Sequence, residues 1–314
     1  MKKVLFTYDY GRDKMKRIED LGYEVLIRDE NKVVYEKNFK DVEVLVCYNP
    51  FSTLDISLME KLKWIQLSSI GIDQIPKDIV SARRIIVTNN KGGYSIPMGE
   101  WIVLKILEMI KNSREFYEKQ KQKIWKVDTS ILELFNKTVG FIGTGTIAQE
   151  AAKRLKGFEV KLIGVNTNGR KLEYFDECYS LNEIKDVVKK CDFVVVSVPL
   201  TKETFYLIDK ELIENMKDGV YIVNIARGSV INTDALIEAV KKGKIKKAAL
   251  DVFEEEPLTV ESPLWDMENI IITPHNSWVS EMRNERRYNI IYENMKRYAE
   301  GRELLNTVDI IKGY

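Results

Sequence analysis

The sequence predicts an α/β fold in two domains, each a parallel β-sheet covered by helices. Three observations predict it. Short β-branched or aromatic apolar runs alternate with amphipathic segments almost throughout, the pattern of a βα repeat. That alternation is interrupted once, by a long amphipathic stretch from Pro97 to about Gln120, and then restarts. The 314 residues suit two domains, with one large domain as the fallback. The content of 45% apolar and 31% charged residues is ordinary for soluble globular chains, so either arrangement can bury a core.

The elements follow in order. Val4 to Phe6, Val25 to Ile27, Val44 to Val46, Trp64 to Leu67 and Ile85 to Val87 read as strands, bounded by turn or charged residues. Arg12 to Leu21 and Asp55 to Leu62 read as helices between them. Pro97 suits a helix start. Apolar residues then recur at Trp101, Leu104, Ile106, Leu107 and Ile110, which predicts one connecting helix to about Gln120. Beyond it, Val139 to Ile142, Val160 to Val165, Phe193 to Val198, Val220 to Ile225, Ala248 to Val252 and Ile270 to Ile272 read as strands. Helices are expected over Ile147 to Leu155, Leu181 to Lys189, Lys210 to Met216 and Asp234 to Lys241. A final helix from Ser280 to about Ala299 is expected to pack back on the first domain and make it discontinuous. The expected division is 1–96 with 276–314, and 97–275. No internal repeat and no low-complexity segment is present.

Composition excludes several function classes. His275 is the only histidine, so no His-rich zinc site and no H-E-x-x-H helix can be built. Cys47, Cys178 and Cys191 show no C-x-x-C spacing, so no metal is expected, and scattered cysteines suit a reducing compartment. The 49 Lys+Arg against 48 Asp+Glu leave a net charge of +1, which gives no reason to expect nucleic acid or an anionic membrane as a partner. The most basic run, Lys241 to Lys247, reads as a solvated helix end. Asp9 and Arg12 interrupt the N-terminal apolar run before a signal-peptide core forms. No apolar run approaches the roughly 18 residues that span a bilayer. A cytoplasmic protein is expected.

The strongest local signal is Gly143-Thr-Gly145-Thr146-Ile147-Ala148, directly after a strand and at the head of a helix. The first glycine permits a tight turn, the second lets a pyrophosphate approach the backbone, and Ala148 is small enough for helix–strand packing. The helix N-terminus at Thr146 and Ile147 offers N–H groups to phosphates. In this strand–turn–helix setting the motif points to a dinucleotide. The next strand should end in an acid that bonds the ribose hydroxyls. It ends instead in Val165-Asn166-Thr167-Asn168-Gly169-Arg170. An acid repels a 2′-phosphate, whereas Asn, Thr and Arg do not, which favours NADP over NAD; a plain polar loop is the simpler alternative.

A wider pattern supports one site. The strands from Val139 to Ile272 end at Gly143, Asn166, Pro199, Asn224 to Gly228, Asp251 and His275. Ligands of open parallel sheets bind outside the carboxyl ends of the strands, so these positions should gather around one crevice. Arg227 suits a bidentate grip on a carboxylate. Glu256 lies in an acidic loop that alone would pass as solvated. His275 follows Pro274 at the end of the last strand, and a carboxylate partner would poise it as a general acid–base.

These residues resemble the D-isomer-specific 2-hydroxyacid dehydrogenases. The matching pieces are Gly143 to Ala148, Val198-Pro199-Leu200-Thr201, Asn224-Ile-Ala226-Arg227-Gly228, Asp251-Val-Phe-Glu-Glu-Glu256-Pro257-Leu258 and Thr273-Pro274-His275, in the family's order. Ser69-Ile70-Gly71-Ile72-Asp73 and Thr88-Asn89-Asn90-Lys91-Gly92 match more weakly. The resemblance implies a Rossmann dinucleotide-binding domain and a smaller, discontinuous flavodoxin-like substrate domain, with a 2-ketoacid in the cleft between them.

It also implies roles. Arg227 binds the substrate carboxylate and carbonyl oxygen, and His275 gives that oxygen a proton as hydride arrives from the nicotinamide. Glu256 pairs with His275. The N–H groups of Ile70 and Gly71 help hold the carboxylate, Asp251 binds the nicotinamide carboxamide, and Val198, Pro199, Thr204 and Ala226 line the cofactor. Tyr94, Met98 and Trp278 are candidates for the substrate pocket, although Met98 is equally accounted for by core packing. Many family members carry Asp where Asn166 stands.

The expected function is therefore an NAD(P)-dependent reductase of a small 2-ketoacid, the reverse being oxidation of a 2-hydroxyacid, in a homodimer built through the dinucleotide domain. The competing reading is a dinucleotide-sensing, corepressor-like binding protein with the same fold. A formate or phosphite enzyme is disfavoured, since formate dehydrogenases lack the glutamate that pairs with the histidine.

Overall fold

A computed structural model describes residues 1–313. The chain divides into two compact units, Met1–Tyr94 with Ser280–Tyr314, and Ser95–Val279.

The first unit opens with β1 (Lys2–Phe6), α1 (Arg12–Glu19), β2 (Tyr23–Ile27), β3 (Val42–Cys47), β4 (Trp64–Leu67), α2 (Lys77–Ala82) and β5 (Ile86–Thr88). Its sheet is parallel in the order β2-β1-β3-β4-β5, which is flavodoxin-like. Successive side chains of a strand point to opposite faces, and both faces are covered here. Val4 and Phe6 pack with Val44, Val46 and Trp64 on one face, while Leu5 packs with Leu45, Ile65 and Phe39 on the other.

The second unit holds α3 (Ser95–Ile110), α4 (Ser113–Lys121), β6 (Thr138–Ile142), α5 (Thr146–Leu155), β7 (Lys161–Asn166), β8 (Glu177–Ser180), α6 (Ile184–Val188), β9 (Phe193–Val196), α7 (Lys210–Asn215), β10 (Val220–Asn224), α8 (Thr233–Lys241), β11 (Ile245–Leu250) and β12 (Ile270–Ile272). All strands are parallel in the order β12-β11-β10-β9-β6-β7-β8, a Rossmann sheet with one further strand. The register aligns the carboxyl ends. Ile142 pairs with Val165 and Val196, Val196 with Asn224, Asn224 with Leu250, and Leu250 with Ile272. Gly143, Ser197, Ile225, Asp251 and Thr273 therefore leave the sheet along one edge. At Gly99 the helix α3 approaches α5 so closely that a Cβ would lie 2.9 Å from Cβ of Glu150, so only glycine fits.

The chain returns to the first unit through α9 (Arg283–Ala299). Tyr288, Ile291 and Met295 recur at helical spacing and are fully buried against Val4, Phe6 and Trp64. Burying an aliphatic side chain of this size stabilises by about 1.5–3 kcal/mol.

The structure departs from the sequence reading at definable points. The stretch from Pro97 to Gln120 is two helices, because Asn112 takes the left-handed conformation with φ 51°. Asparagine tolerates that region, and its side chain holds the junction by donating to Asp128 and Ser130 and accepting from Lys247. That last contact corrects the reading of the basic run. Lys247 is 8% exposed within β11 and pairs with Glu115, so it is not part of a solvated helix end. Residues 55–62 form only a short 3₁₀ turn, Ile56–Leu58, capped by Asp55. Their apolar spacing comes from Ile56, Met59 and Leu62 filling the core beneath β3 and β4. The last helix begins at Arg283, three residues beyond Ser280. Strand β8 and helix α2 carry no clear sequence signal, since β8 is half-buried with no apolar alternation and α2 is short.

Candidate active site

The carboxyl edge of the second unit's sheet gathers most of the candidate residues. At the turn from β6 to α5, Gly143 has φ 97°, and a Cβ there would lie 2.7 Å from the Ser197 carbonyl oxygen. Gly145 is the N-cap of α5 and supplies no side chain to the first-turn amides at Thr146 and Ile147. A Cβ on Gly145 would meet nothing within 4 Å. An uncapped helix N-terminus with open space above its glycine fits a dinucleotide pyrophosphate. The Thr146 hydroxyl accepts a hydrogen bond from Ser95 at 2.8 Å.

After β7, Asn166 shapes its own loop. Its Oδ1 accepts from the Arg170 N–H at 3.0 Å and its Nδ2 donates to the Arg170 carbonyl at 3.0 Å. Thr167, Asn168 and Arg170 are exposed beside it. After β9, half-buried Val198 leads to Pro199. Thr204 is turned inward, donating from its hydroxyl to the Pro199 carbonyl at 2.6 Å and accepting from the Thr201 N–H at 2.7 Å.

Asn224 closes β10 and is fully buried. It accepts from the Ala226 N–H at 3.0 Å and donates to the Arg227 carbonyl at 3.1 Å, which clamps the loop carrying Arg227. Ala226 is buried and its carbonyl accepts from the half-buried Arg227 guanidinium at 2.7 Å. The next residue, Gly228, touches the loop that follows β11. A Cβ there would lie 1.8 Å from the Phe253 carbonyl carbon and 2.2 Å from the Glu254 nitrogen.

Asp251, 2% exposed, is the hub of the last loop. Its carboxylate accepts from the Thr273 hydroxyl at 2.6 Å, the Asn276 N–H at 2.9 Å and the Ser277 N–H at 3.0 Å. Its carbonyl accepts from the His275 N–H at 2.8 Å. His275 is thereby held at φ 49°, a left-handed conformation that a non-glycine residue adopts only where its surroundings enforce it. The Trp278 indole N–H donates to the His275 carbonyl at 2.8 Å, so Trp278 braces the same turn.

The imidazole meets one carboxylate. Nδ1 of His275 lies 2.8 Å from Oε2 of Glu256, while Oε1 accepts from the Phe253 N–H at 2.9 Å. Partial burial acts to raise the Glu256 carboxyl. The hydrogen bonds from His275 and Phe253, and the positive charges of His275 and Arg227, outweigh it and hold the group below the ordinary glutamate range. Glu256 is therefore the meeting point of Arg227 and His275. Glu254 faces elsewhere, accepting from the Tyr206 hydroxyl at 2.5 Å and the Thr233 N–H at 3.0 Å. With Nδ1 engaged, Nε2 of His275 is the nitrogen left to exchange a proton.

Ile70, Gly71 and Tyr94 belong to the first unit, in the segments that follow β4 and β5. The Ile70 carbonyl accepts from the Asn89 amide at 2.8 Å and the Gly71 carbonyl from the Ser69 hydroxyl at 2.8 Å. Tyr94 is buried and donates to the Ser68 carbonyl at 2.5 Å, which fixes the start of that loop. Met98 lies buried in α3.

Sequence reasoning gave no individual role to Asn224, Gly228 or Thr273. Asn224 had a readable signal, a polar residue closing an otherwise apolar strand, since buried polar groups must be hydrogen-bonded.

Known proteins resemble this chain in sequence and fold. Residues 103–277 match the family model described as D-isomer specific 2-hydroxyacid dehydrogenase, NAD binding domain. A D-3-phosphoglycerate dehydrogenase of Methanocaldococcus jannaschii is 33% identical over 99% of this chain, which spans only 60% of that relative's length. A glyoxylate reductase of Pyrococcus horikoshii is 31% identical, covering 95% of this chain and 93% of its own. A solved D-isomer specific 2-hydroxyacid dehydrogenase from Xanthobacter autotrophicus, in complex with NADPH and MES, superposes with a TM-score of 0.83 at 27% identity over 100% of this chain and 99% of its own.

Proposed function

Because the chain belongs to the D-isomer specific 2-hydroxyacid dehydrogenase family, we propose that it is an NAD(P)-dependent 2-ketoacid reductase. The observation that carries this is the His275–Glu256 pair, 2.8 Å apart, with Arg227 acting on the same carboxylate. In the forward direction the ketoacid carbonyl carbon gains a hydride, its oxygen gains a proton, and a D-2-hydroxyacid leaves.

The bound nicotinamide dinucleotide supplies that hydride. Gly143, Gly145, Thr146 and Ile147 hold its pyrophosphate, and Val198, Pro199, Thr204 and Ala226 line its path. Asp251 already accepts three hydrogen bonds, and Oδ2, which carries one of them, keeps acceptor capacity for the carboxamide. Arg227 pairs with the substrate carboxylate and polarises the carbonyl oxygen. The N–H groups of Ile70 and Gly71 are donors for a substrate carboxylate, and Tyr94 steadies their loop. Nε2 of His275 delivers the proton as charge grows on the oxygen, and Glu256 balances the protonated ring beforehand.

The relatives' names favour an enzyme over a dinucleotide-sensing binding protein. The direct check is oxidation of NADPH and NADH in the presence of glyoxylate, hydroxypyruvate, pyruvate and branched 2-ketoacids. Turnover with at least one pair is expected, and none above background would refute the reading.

We propose NADP(H) over NAD(H), since residues 166–170 present Asn166, Thr167, Asn168 and Arg170 and no carboxylate. Arg170→Ala should raise KM for NADPH more than for NADH; an equal effect on both contradicts a 2′-phosphate role. Glu256→Gln removes the carboxylate that pairs with His275, so the pH profile of ketoacid reduction should shift while substrate binding persists. In the wild type the pair persists down to a pH below the ordinary glutamate range, because the Glu256 pKa is lowered and the pairing is lost only as pH falls through it. An unchanged pH profile in Glu256→Gln counts against the pairing.

A homodimer is proposed on a cluster of exposed apolar side chains in and after α4, among them Trp125 at 101% and Val127 at 79% exposure. No helix among the described residues is long and apolar enough to cross a membrane. The three cysteines are free thiols, which supports a reducing, cytoplasmic setting.

A further inference from the structure

We propose that Arg287, with Tyr8 and Tyr10, forms an anion-binding site for the far end of the substrate, which narrows the substrate to 2-ketoacids carrying a second carboxylate or a phosphate. The proposal rests on the ketoacid-reductase reading and deepens it.

Arg287 lies in the second turn of α9, half-buried. Its guanidinium sits 4.7 Å from the ring centre of Tyr8 and 5.3 Å from that of Tyr10. One terminal nitrogen donates to Asn284 at 3.1 Å, while Nε is buried with no hydrogen-bond partner. No carboxylate among the described residues forms an ion pair with Arg287. The acids of this sheet edge are spent elsewhere. Glu30 accepts from Thr7 and from the N–H groups of Tyr48 and Asn49, and Asp9 accepts from the Gly11 N–H. A guanidinium removed from water without an anion is costly, and aromatic faces offset only part of that.

A second unmet donor stands beside it. The Tyr10 hydroxyl is buried and finds no acceptor for its own proton. Burial pushes the Tyr10 phenol up, against the charge of Arg287 and a hydrogen bond from its side chain to the phenol oxygen, so it stays a neutral O–H donor. Two unmet donors, one of them cationic, call for an acceptor that carries charge. Arg287 also hydrogen-bonds the Tyr94 phenol, and a second guanidinium, Arg283, acts on the same phenol, so positive charge faces this point from two turns of α9.

The position fits a substrate tail. Tyr8 and Tyr10 follow β1, and Tyr94 bonds Ser68, directly before the Ser69-Ile70-Gly71 loop. This is the carboxyl edge of the first unit's sheet, the edge where open parallel sheets bind ligands. The loop proposed to hold the 2-ketoacid carboxylate thus lies beside the Arg287 cluster within one unit. A tail with a carboxylate or phosphate would satisfy both the guanidinium and the Tyr10 hydroxyl, which glyoxylate, having no tail, cannot reach.

The test is kcat/KM for four probes: 3-phosphohydroxypyruvate, 2-oxoglutarate, hydroxypyruvate and glyoxylate. The wild type should prefer one of the two anionic-tailed acids over hydroxypyruvate by roughly tenfold or more, and which one identifies the group as phosphate or carboxylate. Arg287→Met should lower that preference by roughly tenfold, mainly through KM, and Arg287→Lys should recover part of it. Tyr10→Phe, the smaller change, should lower the preference in the same direction and keeps the test decisive should Arg287→Met fail to fold. Equal use of hydroxypyruvate and the anionic acids, or a parallel loss on all four in Arg287→Met, overturns the site while leaving the reductase reading standing. No turnover of any of the four overturns the site, and it overturns the reductase reading as well when pyruvate and branched 2-ketoacids are not reduced either.

Discussion

His275→Ala is expected to lower the rate of 2-ketoacid reduction by roughly 10²–10⁴-fold, the usual contribution of a positioned proton donor. The prediction is sharp because the chain has one histidine, so no neighbouring imidazole can stand in. Its placement is over-determined. The Asp251 carbonyl takes its N–H, the Asp251 carboxylate takes the N–H groups of Asn276 and Ser277, and Trp278 braces its carbonyl. These contacts are to backbone, so they persist when the imidazole is removed, and the fold should survive the substitution. Cofactor affinity, read by quenching of protein fluorescence, should change little. A near-wild-type rate would end the acid–base role.

Gly228→Ala should cost about 10²-fold in kcat/KM although the side chain at this position touches no reactant. The added Cβ would sit 1.8 Å from the Phe253 carbonyl carbon and 2.1 Å from its oxygen. Those atoms are the backbone of the loop after β11, and they cannot swing aside as the far end of a flexible side chain would. Either the loop carrying Arg227 or the loop carrying Glu256 must move. Misplacing reacting groups by about 1 Å is enough for a 10²-fold loss. The accompanying destabilisation should be about 1–3 kcal/mol, visible as a lowered melting temperature. Wild-type kcat/KM together with an unchanged melting temperature would show that the two loops do not constrain each other.

These two positions also mark what a sequence can and cannot reveal. The β6–α5 turn was legible because its requirements are local: a left-handed glycine, a bare N-cap and a small residue, all within Gly143 to Ala148. Arg227 and His275 could be singled out because each follows an apolar run that ends a parallel strand, and such ends share one edge. Within the acidic loop only the resemblance to the dehydrogenases pointed to Glu256, and the fold supplies the physical difference. Glu254 and Glu256 differ only in direction, one bonded to Tyr206 and Thr233 and the other to His275.

The rest was hidden because it depends on tertiary contacts. Asp251 reads as a strand-end acid, yet its carboxylate organises Thr273, Asn276 and Ser277, far along the chain. Nothing in the spacing of Gly228 announces the backbone of Phe253. The break between α3 and α4 escaped because Asn112 sits in an unbroken amphipathic pattern, and what bends the chain there is its bonds to Asp128, Ser130 and Lys247. Lys247 misled for the related reason that a lysine run looks solvated until one member is seen threaded into a strand and paired with Glu115. Arg287 and Tyr10 carried no sequence signal, because an unmet donor is defined only by what surrounds it.

The central claim is that this chain moves a hydride to the carbonyl carbon of a 2-ketoacid while His275 protonates the oxygen. It is tested most directly by following the hydrogen itself. NADPH deuterated at C4 of the nicotinamide, in the (4R) and (4S) forms in parallel, is supplied with a 2-ketoacid that supports turnover, and the product is analysed by mass and chirality. The account predicts one deuterium at C2 of a D-2-hydroxyacid from one of the two forms, with the hydroxyl proton drawn from solvent. Product without deuterium from either form, or no hydroxyacid at all while NADPH is consumed, would contradict it.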